Sequence, residues 1–358
     1  MDYNIAWYVL VGILLIGYSI LDGFDLGVGI VHLWAKGDTQ RRLVMNSIGP
    51  VWDGNEVWLI TAGGALFAAF PEVYATGFST FYLPFMMLLM ALIFRAVSME
   101  FRSKESSRRW RNAWDFGFSA GSTLAAFLFG IAIGNVILGL PIGADKEFAG
   151  TLSTLIRPYT LLIGLLTVVM FAMHGSLYLI IKSEGELQIK AKTWAQRSYY
   201  LFLVLYILAT FFTLRLKPEM IANFSFGYYQ DPGSTHEFIA SYPILISVVT
   251  WMVVLLNILA IANVPRCIKK QKEMQGFVSS ACTIAALISL FALGIFPKMI
   301  PSTLNGAFSL DIYNASSSNY TLKTMFGLAL IGMPFVLAYT SIIYWTYRGK
   351  TVLTDSSY

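Results

Sequence analysis

Long apolar runs alternate with short polar or basic segments along the whole chain. Runs long enough to cross about 30 Å of hydrocarbon as helices occur nine times. They lie at Ile5–Val31, Ile48–Phe70, Val73–Val97, Trp114–Leu140, Pro158–Ile181, Tyr199–Leu216, Ile239–Val264, Gly276–Phe296 and Leu322–Tyr347. The pattern predicts an all-α polytopic membrane protein with nine transmembrane helices.

The composition agrees with this class of protein. Hydrophobic residues make up 56% of the chain and charged residues only 13%, whereas soluble domains carry about 25% charged residues. The formal net charge of +5 is explained by basic loops, so we expect no nucleic-acid partner. Cys267 and Cys282 form neither a disulfide pattern nor a metal-ligand pattern, and no metal site is expected.

The loops predict the orientation of the chain in the membrane. Alternate loops carry 18 of the 25 Lys and Arg residues, and the loops between them carry six. Because cytoplasmic loops are enriched in Lys and Arg, the basic loops are predicted to face the cytoplasm. The N-terminus is then outside and the C-terminus inside.

The loop lengths predict how the spans are grouped. The loop near Gly143–Thr154 divides the first eight spans into a four-helix bundle at residues 1–140 and a second one at residues 158–297. The ninth helix, at residues 322–347, is predicted to be peripheral, within one integral membrane domain of residues 1–358. The outer segments Ala222–Glu237 and Ser309–Thr321 are polar and aromatic, and we expect them to be loops packed against a partner.

Charged residues inside the predicted spans are the first candidate site. With a rise of 1.5 Å per residue, Asp22 and Asp25 lie near the inner end of the first span, and Asp53 and Glu56 lie roughly 8–12 Å into the second. Arg95 lies at the inner end of the third span. Three helices are therefore predicted to bring four acids and one arginine to one layer on the cytoplasmic side.

Two interpretations of these acids remain open at this point. Acids near the membrane boundary can be interfacial and partly solvated, which fits the depth of Asp22. Asp53 and Glu56 are deeper, and a charged group inside hydrocarbon costs about 2.5–3.5 kcal/mol on insertion scales. Such intramembrane carboxylates typically mark ion or proton routes. Trp58 is five residues beyond Asp53, which turns it with Asn55 to another helix face.

Small residues and histidines allow further predictions. Gly63–Gly64, the pair Gly117 and Gly121, and the pair Gly130 and Gly134 are expected to permit close helix contacts. Of the three histidines, His32 and His174 lie in predicted spans and His236 in an outer loop. Two histidines at matched depth can ligate heme, but hydrogen-bonded structural histidines are the simpler interpretation.

Several motifs along the chain resemble those of one family. The run W-D-G-N-E-V-W-L-I at residues 52–60 is long and specific. It is accompanied by D-G-F-D-L-G-V-G at 22–29, R-R-L-V-M-N-S-I at 41–48, F-R-S-K-E-S-S-R-R-W-R-N-A-W-D at 101–115, F-P-K-M-I-P-S-T at 296–303 and S-L-D-I-Y-N-A-S-S-S-N-Y-T-L at 309–322. In this order they resemble subunit II of the cytochrome bd-type quinol oxidases. The predicted topology also matches that family.

The resemblance implies a subunit of a bacterial terminal oxidase in the inner membrane, not active alone. Such an enzyme oxidises membrane quinol, reduces O2 to water, takes protons from the cytoplasm and builds a proton motive force without pumping. The resemblance implies that heme b and heme d are held mainly by a partner, subunit I, in a heterodimer. Small single-span subunits, membrane lipids and quinone are further expected partners.

The same resemblance assigns expected roles to individual residues. Asp53 and Asp25 match family acids of the proton pathway, to which the helix geometry adds Glu56 and Asp22. Trp58 matches a tryptophan of a hydrophobic O2 route. Arg95, with Trp52 and Asn55, is expected at a heme or at the subunit interface.

Two other functions remain possible from the sequence. A secondary transporter would also have many spans and intramembrane acids, although such proteins often show internal repeats and broken helices near the midplane. A purely structural subunit would leave every proton and O2 route to its partner. Separate substitutions at Asp53 and Trp58 distinguish a purely structural subunit from one that carries these routes. In a purely structural subunit they would reduce assembly of the complex and not its turnover.

Overall fold

A computed structural model describes residues 1–222, 224 and 243–354 of the chain. Helices make up most of these ranges. In chain order they are α1 Tyr3–Val31, α2 Asp38–Ile48, α3 Trp52–Ala69, α4 Pro71–Thr80, α5 Tyr82–Phe101, α6 Arg108–Leu138, α7 Leu152–Leu155, α8 Pro158–Lys182, α9 Gly185–Leu216, α10 Pro218–Ala222, α11 Pro243–Lys269, α12 Glu273–Ile295 and α13 Asn319–Thr346.

Eight helices of the described ranges are long and apolar enough to cross a membrane. They are α1, α5, α6, α8, α9, α11, α12 and α13. The second predicted span corresponds to α3, which has 18 residues and a polar first turn with Asp53, and which is not one of the eight. The helical membrane class is therefore confirmed, whereas the count of nine spans stays a prediction.

Proline residues explain two of the helix boundaries near the acids. The Gly49–Pro50 pair separates α2 from α3, since proline lacks an N–H group and cannot continue a helix from its preceding turn. Pro71 occupies the first turn of α4, where the missing N–H would be unpaired in any case. The single helix predicted at Val73–Val97 is wrong, because the backbone at Phe81, with φ −97° and ψ 21°, separates α4 from α5.

The α8 helix lies at the centre of the fold and is the most deeply buried of the eight. It packs against α1, α6 and α9, and α1 also packs against α3, α12 and α13. Helices from both predicted four-helix groups thus meet at α8. The division into two bundles and a ninth helix stays a prediction.

Glycines allow the closest helix contacts. A Cβ atom at Gly121 would lie 2.5 Å from the Ala91 carbonyl oxygen of α5, and one at Gly130 would lie 2.6 Å from the Ile163 carbonyl oxygen of α8. The packing prediction is confirmed at these positions. At Gly63 and Gly64 a Cβ would meet nothing within 4 Å in the described part of the chain, so these two glycines make no such contact with the other described helices.

Gly27 on α1 is the tightest of these contacts, so we expect Gly27→Ala to destabilise the protein. Its Cβ would overlap the backbone of Phe171 on α8, and such overpacking costs about 1–3 kcal/mol. The midpoint of thermal unfolding in detergent should fall by several degrees. Gly12→Ala is the matched control on the same helix, since nothing lies within 4 Å of its Cβ. Equal midpoints for the two variants would contradict the tight α1–α8 contact.

The basic segments meet at one end of the molecule, here called the basic end. The α5–α6 connection contacts the start of α2 through Arg102 Nη2 and Asp38 Oδ1 at 2.8 Å. The start of α9 contacts α2 through Lys190 Nζ and Gln40 Oε1 at 3.0 Å. The C-terminal segment contacts α12 through Lys350 Nζ and Glu273 Oε2 at 3.2 Å. The connections that the sequence predicted to be basic thus lie together at one end of the molecule.

The opposite end carries a small sheet, so the all-α prediction needs one correction. Strands β1 (Lys298–Ile300) and β2 (Leu310–Asp311) pair antiparallel. Ser302 Oγ donates to the Ile142 carbonyl at 2.8 Å, and Asn4 Nδ2 donates to Ser316 Oγ at 2.7 Å. The hydrogen bond from Asn4 connects the predicted loop at Ser309–Thr321 to the N-terminal residues. Most of the predicted loop at Ala222–Glu237, with His236, lies outside the described residues.

Candidate functional site

Arg95 of α5 contacts three carboxylates from two other helices. Its Nη2 lies 3.1 Å from Asp22 Oδ1 and 4.0 Å from Asp25 Oδ2, both on α1. Its Nη1 forms an ion pair with Glu56 Oε1 of α3. Asp22, Asp25, Glu56 and Arg95 are called the acid cluster below. The sequence predicted four acids and Arg95 in one layer, and three of those four acids contact Arg95.

The acid cluster is buried and is rich in negative groups. The side chains of Asp22, Asp25 and Arg95 have no exposed surface, and that of Glu56 is 25% exposed. Three acids thus share one arginine where charges are poorly screened. Three ionised carboxylates around one cation would leave uncompensated buried charge. The acid cluster is therefore suited to acids that exchange protons.

Several polar atoms of this region have no hydrogen-bond partner among the described residues. They are Tyr18 Oη, Asp22 Oδ1 and Oδ2, Asp25 Oδ1, and Arg95 Nε and Nη2. The Arg95–Asp22 contact therefore has the distance of an ion pair but not the geometry of a hydrogen bond. Buried polar groups are nearly always paired, so this concentration of polar atoms makes the region a candidate functional site.

A chain of hydrogen bonds leads out of the cluster. Asn55 Nδ2 of α3 donates to Asp25 Oδ2 at 2.7 Å. Tyr344 of α13 donates its hydroxyl to Asn55 Oδ1 at 2.8 Å. On another side of the cluster, the Arg95 guanidinium carbon lies 6.0 Å from the centroid of the Trp52 ring. The predicted group of Arg95, Trp52 and Asn55 therefore surrounds the acids within this chain.

Asp53 occupies a different place from the other three acids. It lies in the exposed first turn of α3 and makes no contact with Arg95 in the described structure. It lines a cavity of about 530 Å³ between α3 and α13. Asn55, Trp58 and Tyr344 line the same cavity. Asp53 is thus separated from Asp25 by the pair of Asn55 and Tyr344.

Trp58 packs its ring against α1 and is only 9% exposed. The absence of a side chain at Gly17 makes room for the ring, since a Cβ there would overlap it. The sequence predicted that Trp58 and Asn55 share a face, and both are buried on α3. That face is not separate from the acids, however, because Asn55 reaches Asp25.

A second ionic cluster near the basic end was missed by the sequence reasoning. Asp115 of α6 receives His32 Nε2 at 2.6 Å, Arg102 Nε at 2.6 Å and Arg41 Nη1 at 2.7 Å. It ties together the end of α1, the start of α2, the end of α5 and the start of α6. Asp115 is the last residue of the motif quoted at 101–115, and that was the available signal.

The two histidines of the described ranges make hydrogen bonds within this chain. His32 Nε2 is bonded to Asp115. His174 Nδ1 pairs with Ser280 Oγ at 2.6 Å and its Nε2 with the Ile20 carbonyl at 3.1 Å, and its ring stacks on Phe277. These are the contacts that the interpretation of both as hydrogen-bonded structural residues requires.

Comparison with known proteins gives the class of this chain. The sequence model of the cytochrome bd terminal oxidase subunit II family matches residues 3–347, and the chain belongs to that family. It is 35% identical over 374 residues to the cytochrome bd-I ubiquinol oxidase subunit 2 of Escherichia coli K12, covering 99% of this chain and 97% of that protein. It is 32% identical over 345 residues to the cytochrome bd ubiquinol oxidase subunit 2 of Bacillus subtilis 168, covering 96% and 95%.

The fold is also found in a solved structure, that of the bd oxidase from Geobacillus thermodenitrificans. The TM-score is 0.76 at 14% identity, covering 97% of this chain and 99% of that one. At this identity the likeness concerns the fold alone. With the family and its long apolar helices, the chain is a multi-pass protein of the bacterial inner membrane.

Proposed function

We propose that this chain is the second subunit of a bd-type terminal oxidase that oxidises membrane quinol and reduces O2 to water. The observation that supports this most directly is the buried acid cluster around Arg95 in a member of that family. Reduction of O2 to water consumes protons as well as electrons. A route for protons through the membrane interior needs carboxylates at that depth.

The chain acts in this proposal as a partner of a heme-bearing subunit I and is not active alone. Heme b and heme d would supply the electron-transfer chemistry for reduction of O2, and subunit I would hold them. The hydrogen bonds of His32 and His174 within this chain support that division. Small single-span subunits and lipids complete the complex.

The proton route of the proposal begins at Asp53 and reaches the acid cluster at Asp25. Asp53 is exposed in the cavity between α3 and α13, and Asn55 connects that cavity to Asp25. Asp22 and Glu56 share Arg95 with Asp25, so a proton taken up at one acid is distributed among three. Trp58 lines the apolar part of the same cavity and is proposed to border the O2 route.

The proposed orientation follows from the distribution of positive charge. The basic end faces the cytoplasm, and the end with β1 and β2 faces outward, as expected for loops rich in Lys and Arg. The α3 helix then counts as the ninth span, entering from the cytoplasmic side with Asp53 in its first turn. Protons are taken from the cytoplasm, and quinol protons are released outside, which makes the reaction electrogenic without pumping.

The test is purification of the tagged chain from membranes in mild detergent, followed by a reduced-minus-oxidised absorbance spectrum. We expect a larger partner with b-type and d-type heme bands, and quinol-dependent O2 consumption. A colourless chain without that partner, from cells shown to make the oxidase, would contradict the proposal. In that case the transporter alternative would be tested by substrate uptake.

A further inference from the structure

We propose that Tyr344, on the last helix, is a positioning residue of the proton route. Its hydroxyl holds the side-chain amide of Asn55 in the orientation that donates to Asp25. This inference rests on the proposed function, because it concerns how the cavity at Asp53 communicates with the acid cluster. It assigns a functional contribution to α13, from which the acids themselves are absent.

The orientation of the Asn55 amide is determined by its two ends. Asn55 Oδ1 accepts from the Tyr344 hydroxyl at 2.8 Å. Asn55 Nδ2 donates to Asp25 Oδ2 at 2.7 Å and to the Leu21 carbonyl at 3.3 Å. The Leu21 carbonyl can only accept, so it directs Nδ2 toward α1 and Asp25, and the Tyr344 hydroxyl holds the other end of the amide at Oδ1.

Loss of the Tyr344 hydroxyl would leave Asn55 Oδ1 without its donor. Only the 3.3 Å contact with the Leu21 carbonyl would then oppose turning of the Asn55 amide, which presents Oδ1 to Asp25. An accepting oxygen repels an ionised carboxylate and bonds only to a protonated one. The connection between the cavity and the acid cluster would therefore alternate between two arrangements, and proton transfer to Asp25 would slow.

The last helix is fastened at both ends, which explains how it can hold one hydroxyl in place. At its start, the Trp7 indole donates to the Leu322 carbonyl at 2.9 Å, and Leu322 is the single buried residue of α13. After its end, the Thr351 amide donates to the Lys182 carbonyl at 2.8 Å, and Lys182 Nζ donates to the Tyr347 carbonyl.

Between these ends the cavity separates α13 from α3. Tyr344 lies one turn before the fastened carbonyl of Tyr347, where the helix again approaches the core. Its ring centroid lies 6.4 Å from that of Phe24 on α1, at an interplanar angle of 84°. The hydroxyl of Tyr344 is thus the point at which α13 reaches the polar interior.

The experiment compares Tyr344→Phe with Tyr320→Phe in the assembled oxidase, with turnover expressed per heme. Tyr320 lies on the same helix, is 80% exposed, and does not line the cavity. We expect kcat of Tyr344→Phe to fall about two- to tenfold, the range that corresponds to one hydrogen bond, with KM for quinol unchanged. Tyr320→Phe should equal the parent protein.

A double substitution tests whether Tyr344 acts through Asn55. In an Asn55→Ala background, Tyr344→Phe should lower kcat no further, since residues in one network are not additive. The carboxyl bands of the redox-difference infrared spectrum that disappear in Asp25→Asn should shift in Tyr344→Phe and not in Tyr320→Phe. An additive loss of kcat, or unshifted carboxyl bands, would overturn the positioning role.

Asp25→Asn separates failure of this inference from failure of the proposed function. If Asp25→Asn abolishes turnover while Tyr344→Phe matches Tyr320→Phe, the role of Tyr344 is overturned and the proton route stands. If Asp25→Asn and Asp53→Asn both turn over normally, the proton route is overturned and the role of Tyr344 with it. A raised KM for quinol in Tyr344→Phe would assign the residue to general structure and overturn the inference as well.

Discussion

Asp53→Asn is expected to lower O2 turnover of the assembled oxidase on the order of 100-fold, the lower range for loss of a positioned proton-transfer group. Asparagine has nearly the same size as aspartate and cannot release a proton. Asp53 is exposed in the cavity, where it is the acid through which the proposed route begins. The measurement is quinol-dependent O2 consumption per heme.

The heme content of the Asp53→Asn complex should remain close to that of the parent protein. Asp53 contributes to stability mainly as an acid in the first turn of α3, and such a charge near a helix N-terminus contributes about 0.3–1 kcal/mol. That loss is too small to prevent assembly. A large loss of all hemes would mean that Asp53 is structural.

Asp145→Asn is the matched control for the removal of one carboxylate. Asp145 is exposed at the opposite end of the molecule, away from the cavity. Its turnover should be that of the parent protein. Asp53→Glu restores a carboxyl group at the same position and should recover much of the activity. Normal turnover in Asp53→Asn would rule out the route through this residue.

The sequence predicted the acid layer because depth along a helix depends only on residue number. A rise of 1.5 Å per residue places Asp22, Asp25, Glu56 and Arg95 at similar depths, and the structure brings them into contact. Rotation about the helix axis was not predictable in the same way. It depends on which side chains of α1, α3 and α5 interlock.

Asp53 illustrates the part that could not be predicted. Residues three apart in a helix are neighbours on its surface, yet Glu56 reaches Arg95 and Asp53 does not. The α3 helix begins only at Trp52, after Gly49 and Pro50, so Asp53 lies in an open first turn. Asn55, assigned by the sequence to another face, takes the contact with Asp25.

The contact of Tyr344 with Asn55 could not be predicted from the sequence for a related reason. Tyr344 is separated from Asn55 by 289 positions, and the last helix carries no acid and no basic residue between Lys323 and its end at Thr346. The contacts at both ends of α13 bring this hydroxyl close to the acid cluster. Contacts of this kind depend on the assembled fold and leave no periodic signal in the sequence.

Arg95→Met is expected to prevent stable assembly of the protein. The variant keeps a long side chain but removes the single cation that three carboxylates share. Removing one partner of a buried ion pair typically costs about 3–5 kcal/mol, a large part of the stability of a folded protein. We expect a strong loss of heme-bearing complex from membranes and a lower midpoint of thermal unfolding in detergent.

Arg109→Met is the matched control, because Arg109 is exposed at the basic end and should be replaceable without loss of complex. Asp22→Asn and Glu56→Gln, added to Arg95→Met, remove the charges left without a partner and should recover part of the assembly. Arg95→Lys should be intermediate, since an ammonium group lacks the planar fork with which guanidinium contacts several carboxylates. If Arg95→Met assembles with a normal unfolding midpoint but does not turn over, the acids around Arg95 do not depend on its charge for stability, and its contribution lies in the proton route itself.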